Sequence, residues 1–485
     1  MGPWPAGPLR GRHGLRPASQ GFRRQLARLR VPGRRCPKLT PVWSPNARDL
    51  GGLPTRHGVA TRERAVFRSE SPDDLDSAGR SALDAIGAGL VLDVRSDREL
   101  TRPHPLDGTP AYRRIPWIDP VADESRNAAA EPRLVDVYSN GLSRNSAHIG
   151  KIFRAVADAP ADRPVVVHCQ AGKDRTGQFA ALLLELAGVP RNVIAENYAI
   201  SEVLLGLQDG PERSRTRPET ILGSLDHLDS RLGGIRAYLA GLGLSQLQIH
   251  RLATRLVPVG VRAVVFDFDG LLMDTESTSV LSWQAEWAHH GLELDLEDFW
   301  PGHGGDTSDT RYALLAAAVG AGFDREASHA RRMAHRQRMH TELDFRPGIR
   351  DWVTTAREFG LQVGIASSSP SPWVRGHLER VGAIDLFDQI VTGDEVSTHK
   401  PDPAIYELAL RRLGVPGAAA IAVEDTAHGV AAAQMAGMFA VAIPNPYVAP
   451  AAVATADLVL GSADQLLLSE LLLSAASKGS TPVTD

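Results

Sequence analysis

The stretch Val165-Val-Val-His-Cys-Gln-Ala-Gly-Lys-Asp-Arg-Thr-Gly177, which runs on into the apolar Phe179 to Leu186, decides the reading of the first half of the chain. The valines read as a buried strand and Thr176 to Leu186 as a helix. Between them, the loop from Cys169 to Arg175 can turn backbone N–H groups inward at a helix N-terminus, a cradle suited to three oxygens of a phosphate. The same dipoles and the Arg175 guanidinium favour the thiolate form of Cys169, the form that acts as a nucleophile. Arg175 can grip two phosphate oxygens. Thr176 can donate a hydrogen bond to the thiolate, and Gly172 and Gly177 permit the tight turn and the close helix start.

Working outward, Leu90-Val-Leu-Asp-Val94 reads as a second buried strand, and the stretch from Pro218 to Ala240 as a helix broken at Gly233-Gly234. Leu256-Val-Pro-Val-Gly260 is a short joint, after which the pattern restarts. Ala263-Val-Val-Phe266 reads as a strand, about 276–345 as helical, and then strand and helix alternate through Val363–Ala366, Gln389–Val391, Ala420–Val423 and Phe439–Ile443. That rhythm predicts βαβ units and a parallel sheet.

The second half carries its own chemistry. Val264-Val-Phe-Asp-Phe-Asp-Gly-Leu-Leu-Met-Asp-Thr-Glu276 puts Asp267 and Asp269 at a strand end, where residues two apart share a face and a turn at Gly270 can aim both at one ion and one phosphate. A carboxylate nucleophile needs a divalent cation to shield the phosphate charge and a second acid for the leaving oxygen. Further partners follow later strands: Ser367 within Ile365-Ala-Ser-Ser-Ser369, Lys400 in His399-Lys-Pro401, and Glu424 with Asp425. Open α/β sheets gather ligands at the carboxyl ends of their strands.

Charge and composition narrow the function classes. The net charge of −4 hides an asymmetry, because residues 1–48 hold eleven basic side chains and no acid, leaving 42 basic against 57 acidic residues in the remainder. An acidic body has no general nucleic-acid footprint. Residues 1–45, rich in Pro and Arg, read as a disordered basic extension, with a targeting or anion-binding tail as the alternative. No run approaches the ~18 apolar residues of a membrane span, which excludes integral membrane association. With only Cys36 and Cys169 there is no disulfide framework, and a cytoplasmic location is expected. Only five lysines stand against 48 arginines, so Lys173 and Lys400, each inside a motif, are informative.

The Cys169–Arg175 loop resembles the signature of cysteine-dependent protein tyrosine phosphatases, in the Gly-Lys-Asp-Arg-Thr-Gly version of the bacterial tyrosine and lipid phosphatases. Asn46-Ala-Arg-Asp-Leu-Gly-Gly52, Phe67-Arg-Ser69, Leu92-Asp-Val-Arg95 and Glu99 fit the same branch, and the resemblance spans about 45–257. It implies Asp174 as general acid, with Asp119 in Trp117-Ile-Asp-Pro120 and Asp123 as alternatives. Lys173, an added cation, suits a phosphoinositide or another multiply charged substrate. The second half, about 261–475, resembles the haloacid dehalogenase superfamily, in its capped β-phosphoglucomutase and sugar-phosphate phosphatase branch. That resemblance implies Asp267 as nucleophile and Asp269 as acid/base. Ser367 and Lys400 would bind phosphate, and Asp267, Asp269, Glu424 and Asp425 would hold Mg²⁺. His303-Gly-Gly-Asp306, Trp283 and Trp287 are the visible cap candidates, though tryptophans four apart suit core packing.

The expected fold class is α/β with two domains: a tyrosine-phosphatase-like domain at 46–257, then a Rossmann-like haloacid-dehalogenase core at 261–475 with a helical cap at about 276–345. The expected function is a bifunctional phosphate-ester hydrolase. The first site would act without a cofactor on a phosphotyrosine protein or phosphoinositide, and the second with Mg²⁺ on a small phosphorylated metabolite. Two alternatives stand: a hexose-phosphate mutase in the second half, or one domain serving as a phospholigand-binding module.

Overall fold

The computed structural model describes residues 42–477 except 125, 209–214 and 297–307. The basic extension therefore lies almost wholly outside the described residues, and His303 to Asp306 lie outside them too.

Parallel pairing organises the first half. Strands β1 (Arg48–Asp49), β2 (Val66–Ser69), β3 (Leu90–Asp93), β4 (Tyr112–Arg114) and β5 (Val165–His168) form one sheet in the order β1-β2-β5-β3-β4. Only β1 runs antiparallel to its neighbour. The valines of β5 show why this strand is central: Val165 and Val167 point into the main core while Val166 points into a second cluster with Trp43, Phe67 and Val91. Both faces are covered, as a continuous β-branched run requires. The helices of this half are α1 (Ser77–Asp84), α2 (Pro120–Glu124), α3 (Leu134–Arg144), α4 (Ser146–Ala157), α5 (Arg175–Leu186), α6 (Arg191–Leu204), α7 (Pro218–Leu232), α8 (Gly234–Gly241) and α9 (Gln246–Leu256). The break expected at Gly233-Gly234 is present, with Gly233 left-handed at φ 75° as the cap of α7.

The second half repeats the scheme. Strands β6 (Ala263–Phe266), β7 (Gln362–Ala366), β8 (Gln389–Val391), β9 (Ala420–Glu424), β10 (Phe439–Ala442) and β11 (Leu458–Val459) pair in parallel in the order β11-β10-β9-β6-β7-β8. Helices α10 (Thr275–His289), α11 (Ser308–Val319) and α12 (Arg325–His340) follow β6. They enclose their own cluster of Trp283, Leu294, Tyr312 and Leu315, in which Arg332 stacks over Trp283 at 3.3 Å. Trp283 is thus packing, as the spacing suggested. The remaining helices are α13 (Ile349–Glu358), α14 (Ser371–Arg380), α15 (Ala404–Leu413), α16 (Ala427–Met435) and α17 (Leu468–Ser474). The short strands β1, β4 and β11 carry no readable alternation, which is why patterning did not predict them.

No described helix is long and apolar enough to cross a membrane. The two halves meet at α17. Leu471 and Leu472 belong to the core beneath the second sheet, whereas Leu473 packs into the core of the first. Arg236 of α8 reaches Ser469 Oγ at 3.0 Å and Glu470 at 3.3 Å, and His250 of α9 stacks on Phe359 at 4.2 Å. Truncating Leu473 to Ala should therefore cost about 3 kcal/mol in the N-terminal half despite its place in the second. Hydrogen exchange should accelerate in α5 and α9, and unchanged exchange there would show that α17 does not brace the first core.

Candidate active sites

The first site forms where β5 ends and α5 begins. Its loop is shaped from outside by groups that capture carbonyls. Ser71 N–H donates to Gln170 O at 3.0 Å and Asn46 Nδ2 to Ala171 O at 2.8 Å. Arg68 Nη2 donates to Gly172 O at 2.8 Å and Lys173 O at 3.4 Å. A trans peptide points its N–H opposite to its C=O. Four carbonyls pinned outward therefore turn the amides of residues 171–174 toward the inside of the loop. Gly172 makes the bend possible at φ 64°, and a Cβ there would lie 2.3 Å from the Ser69 carbonyl.

Arg68 is itself buried, and that burial pulls its guanidinium down to about 10. It is braced by Asn197 Oδ1 at 3.0 Å, while Arg48, on Asn197 O at 2.7 Å and Ser201 Oγ at 2.9 Å, holds the same helix, α6. Arg175 opens α5 and meets Glu99 in a two-point pair at 2.5 and 2.6 Å. Burial opposes the Arg175 charge, but Cys169 and Glu99 outweigh it and raise the guanidinium above its usual range. Cys169 is buried, and the buried Thr176 hydroxyl, at the start of α5, has no protein partner.

The three acid candidates separate. Asp174 lies in the loop, where Tyr138 Oη donates to it at 2.6 Å and Lys173 Nζ stands at 3.4 Å. Asp119 instead accepts from the amides of Val121 and Ala122 and shapes the start of α2, and these bonds keep its carboxyl below the usual range. Asp123 pairs with Arg144 at 3.3 Å. Beneath the loop, ligand atoms of Asp93, His104 and His168 lie within 4.8 Å of one another, yet these residues do not suit a metal. Asp93 is committed to Arg95 at 2.8–3.1 Å, and His104 Nδ1 accepts from Leu106 N–H, which puts the ring proton on Nε2 and leaves that nitrogen no lone pair. Burial, then His168, keep His104 neutral, at about 4.

The second site lies at the carboxyl ends of β6, β7 and β9. Lys400 Nζ bridges Asp267 Oδ1 at 2.5 Å and Glu424 Oε1 at 2.6 Å, and also donates to Ala366 O at 2.9 Å. Tyr406 Oη adds a bond to Glu424 at 2.6 Å, and Asn445 Nδ2 holds Asp425 Oδ2 at 2.8 Å. Burial pushes Asp267 up to about 8, with Lys400 opposing and Glu424 adding to the rise. Asp425 is raised well above the carboxylate range by burial and then by Asp267 and Glu424. Burial works against the Lys400 ammonium, but its two carboxylate neighbours raise it.

The carboxylates of Asp267, Glu424 and Asp425 come within 4.8 Å of one another, all buried, with Lys400 as the cation between two of them. A trio of buried oxygen donors in excess of its counter-charge fits a hard divalent cation. Asp269 does not join that trio. Its carboxylate turns to Thr275, Ser367, Ser369 and Trp373. Gly270, at φ 78°, lets the chain pass Asp425, since a Cβ there would lie 2.1 Å from Asp425 Oδ2. Ser367 is fully buried and its hydroxyl also accepts from Ser369 N–H at 3.1 Å.

Sequence reasoning passed over several residues that build these sites: Arg68, Asn46, Tyr138, Trp373, Tyr406 and Asn445. Asn46 and Arg68 lie in segments that the family resemblance marked, and Glu99 was marked without a role. Trp373 and Tyr406 follow the Ser367 and Lys400 motifs within a turn or two of helix but match no motif position, and Tyr138 and Asn445 lie farther from the motifs.

Comparison with known proteins agrees with this geometry. Residues 43–258 match the tyrosine phosphatase family, and residues 264–443 match the haloacid dehalogenase-like hydrolases. YhcW of Bacillus subtilis, which carries a provisional phosphatase name, is 37% identical over 38% of this chain and 84% of its own length. A tyrosine-protein phosphatase of Nostoc commune is 32% identical over 43% of this chain and 79% of its own. The triple specificity protein phosphatase PtpB of Mycobacterium tuberculosis is 30% identical over 44% of this chain and 96% of its own. The chain therefore belongs to the tyrosine phosphatase family through its N-terminal half and to the haloacid dehalogenase-like hydrolases through its C-terminal half. It is a phosphate-ester hydrolase.

One substitution tests the loop geometry. Gly172→Ala should lower turnover at the first site by at least about a hundredfold, since an ångström of misplacement suffices for that. The assay uses p-nitrophenyl phosphate on an Asp267→Asn background. Retained turnover would mean that the outward carbonyls do not set the cradle.

Proposed function

We propose that the chain carries two independent phosphatase activities, one in a domain at 46–257 and one in a domain at 261–475 capped by about 276–345. The first would hydrolyse a phosphotyrosine protein or a phosphoinositide, and the second a small phosphorylated metabolite. What supports this reading is that each half sets a nucleophile at the end of a central parallel strand beside a fixed cation. Cys169 follows β5 near Arg175, which Glu99 holds, and Asp267 follows β6 against Lys400, which Glu424 holds.

At the first site, Cys169 Sγ attacks phosphorus while Arg175 and the loop amides meet the equatorial oxygens. Asp174 gives its proton to the leaving oxygen as the ester bond breaks, and water then releases phosphate from sulfur. Lys173, buried next to Asp174, supplies the extra positive charge a multiply phosphorylated headgroup would need. A reducing, cytoplasmic setting keeps Cys169 a thiol.

At the second site, Asp267 forms the bond to phosphorus, Asp269 protonates the leaving oxygen, and Asp269 then takes a proton from the water that cleaves the aspartyl phosphate. Ser367 and Lys400 hold phosphate oxygens. Asp267, Glu424 and Asp425 would hold Mg²⁺, which offsets the repulsion between nucleophile and phosphate. Two unit charges at ~4 Å repel by about 4 kcal/mol at an effective dielectric of ~20, roughly a thousandfold in rate.

The chemistries separate experimentally. EDTA should abolish the turnover that Asp267→Asn removes and spare the turnover that Cys169→Ser removes, whereas a thiol alkylator should do the reverse. Asp267-dependent turnover that survives EDTA would refute the metal-assisted aspartyl route.

A further inference from the structure

The side chain of Asp269 accepts four hydrogen bonds. Thr275 Oγ1 and Trp373 Nε1 each donate to Oδ1 at 2.8 Å, while Ser369 Oγ at 2.7 Å and Ser367 Oγ at 3.4 Å approach Oδ2. Three of these partners are hydroxyls, which rotate and can accept as well as donate. The indole N–H can only donate, and it sits on a rigid ring.

That ring is held on several sides. His377 meets it edge-on at 4.5 Å, His340 does so at 5.2 Å, and the Arg336 guanidinium lies 5.4 Å from its centroid. Trp373 and His377 belong to α14 of the core, but His340 and Arg336 belong to α12 among the helices that follow β6. The indole thus spans the seam between core and cap with its N–H end on Asp269. His340 is in turn fixed by Thr278 Oγ1 at 2.9 Å.

We propose that Trp373 is a positioning residue for the second site, fixing the orientation of the Asp269 carboxyl. The inference rests on the reading of Asp269 as acid/base. With Oδ1 held by the rigid indole N–H and by Thr275, Oδ2 is turned to Ser367 and Ser369, the side where phosphate would bind, and the proton that Asp269 gives as acid leaves from Oδ2. In the first step that proton passes from Oδ2 to the ester oxygen as its bond to phosphorus breaks and the Asp267–phosphorus bond forms. Without the indole N–H, the carboxyl can rotate and carry Oδ2 away from the leaving group.

The experiment compares kcat/KM for two esters in the full chain on a Cys169→Ser background with Mg²⁺. An alkyl phosphate such as glycerol 1-phosphate needs its leaving oxygen protonated, whereas p-nitrophenolate departs readily without a proton. Trp373→Phe keeps an aromatic ring and removes the donor. It should lower kcat/KM for the alkyl ester about tenfold more than for the nitrophenyl ester, in the same direction as Asp269→Ala. If the Phe variant melts below the assay temperature, Trp373→Met serves in the same comparison. Equal losses on both esters, or no loss, in the Trp373 variant beside a leaving-group-dependent loss in Asp269→Ala would overturn the positioning role alone. Absence of that dependence in Asp269→Ala would overturn the acid/base reading and this inference with it.

Discussion

Parallel strand pairing is the constraint on which both sites depend. Within each sheet the hydrogen-bonded register brings the carboxyl ends of neighbouring strands to one edge, so residues distant in sequence become neighbours there. Ser69 pairs with His168 and Asp93 pairs with His168, which sets the Cys169 loop between the ends of β2 and β3. Phe266 pairs with Ile365 and with Val423, which sets Asp267 between the Ser367 loop and the Glu424-Asp425 pair. A one-residue slip in either ladder would turn the site residues to the other face.

The two halves handle the same problem, a dianion in a buried place, by opposite electrostatics. The first gathers positive and partially positive groups: Arg175, Lys173 and amides turned inward by captured carbonyls. Its cost is the burial of Arg48 and Arg68 and their mutual proximity, offset by hydrogen bonds from their guanidinium groups to oxygens of Asn46, the loop and α6. The second gathers negative groups; burial first, and then their mutual repulsion, raises Asp267 and Asp425 and leaves a shortage of positive charge that Lys400 alone does not fill. A cradle of amides suits an anion directly, whereas a cluster of carboxylates requires a cation before an anion can approach.

Around these centres the supporting groups are rigid and local. Glu99 holds Arg175 at two points, so the guanidinium is oriented before any substrate arrives. Tyr406 and Asn445 do comparable work for Glu424 and Asp425. Trp373 stands apart among these supports, because its ring leans on α12 while its N–H reaches Asp269.

Much of this was legible in the sequence. The largely apolar strands β3, β5, β6, β7, β8, β9 and β10, the helix after Arg175 and the glycine break after α7 follow from hydrophobic runs and backbone preferences, which act locally. The loops that hold the proposed nucleophiles were legible too, since Cys169 to Arg175 and Asp267 to Asp269 are contiguous and a fixed spacing is readable in a sequence. What only the tertiary structure decided are partnerships between residues with no local pattern to betray them. Arg68 capturing the carbonyls of Gly172 and Lys173, Glu99 meeting Arg175, and Trp373 reaching Asp269 all join segments tens to a hundred residues apart. The sequence already favoured Asp174, inside the loop, over Asp119; that Asp119 accepts the amides of Val121 and Ala122 at the start of α2 while Tyr138 reaches Asp174 was decided by how the chain packs.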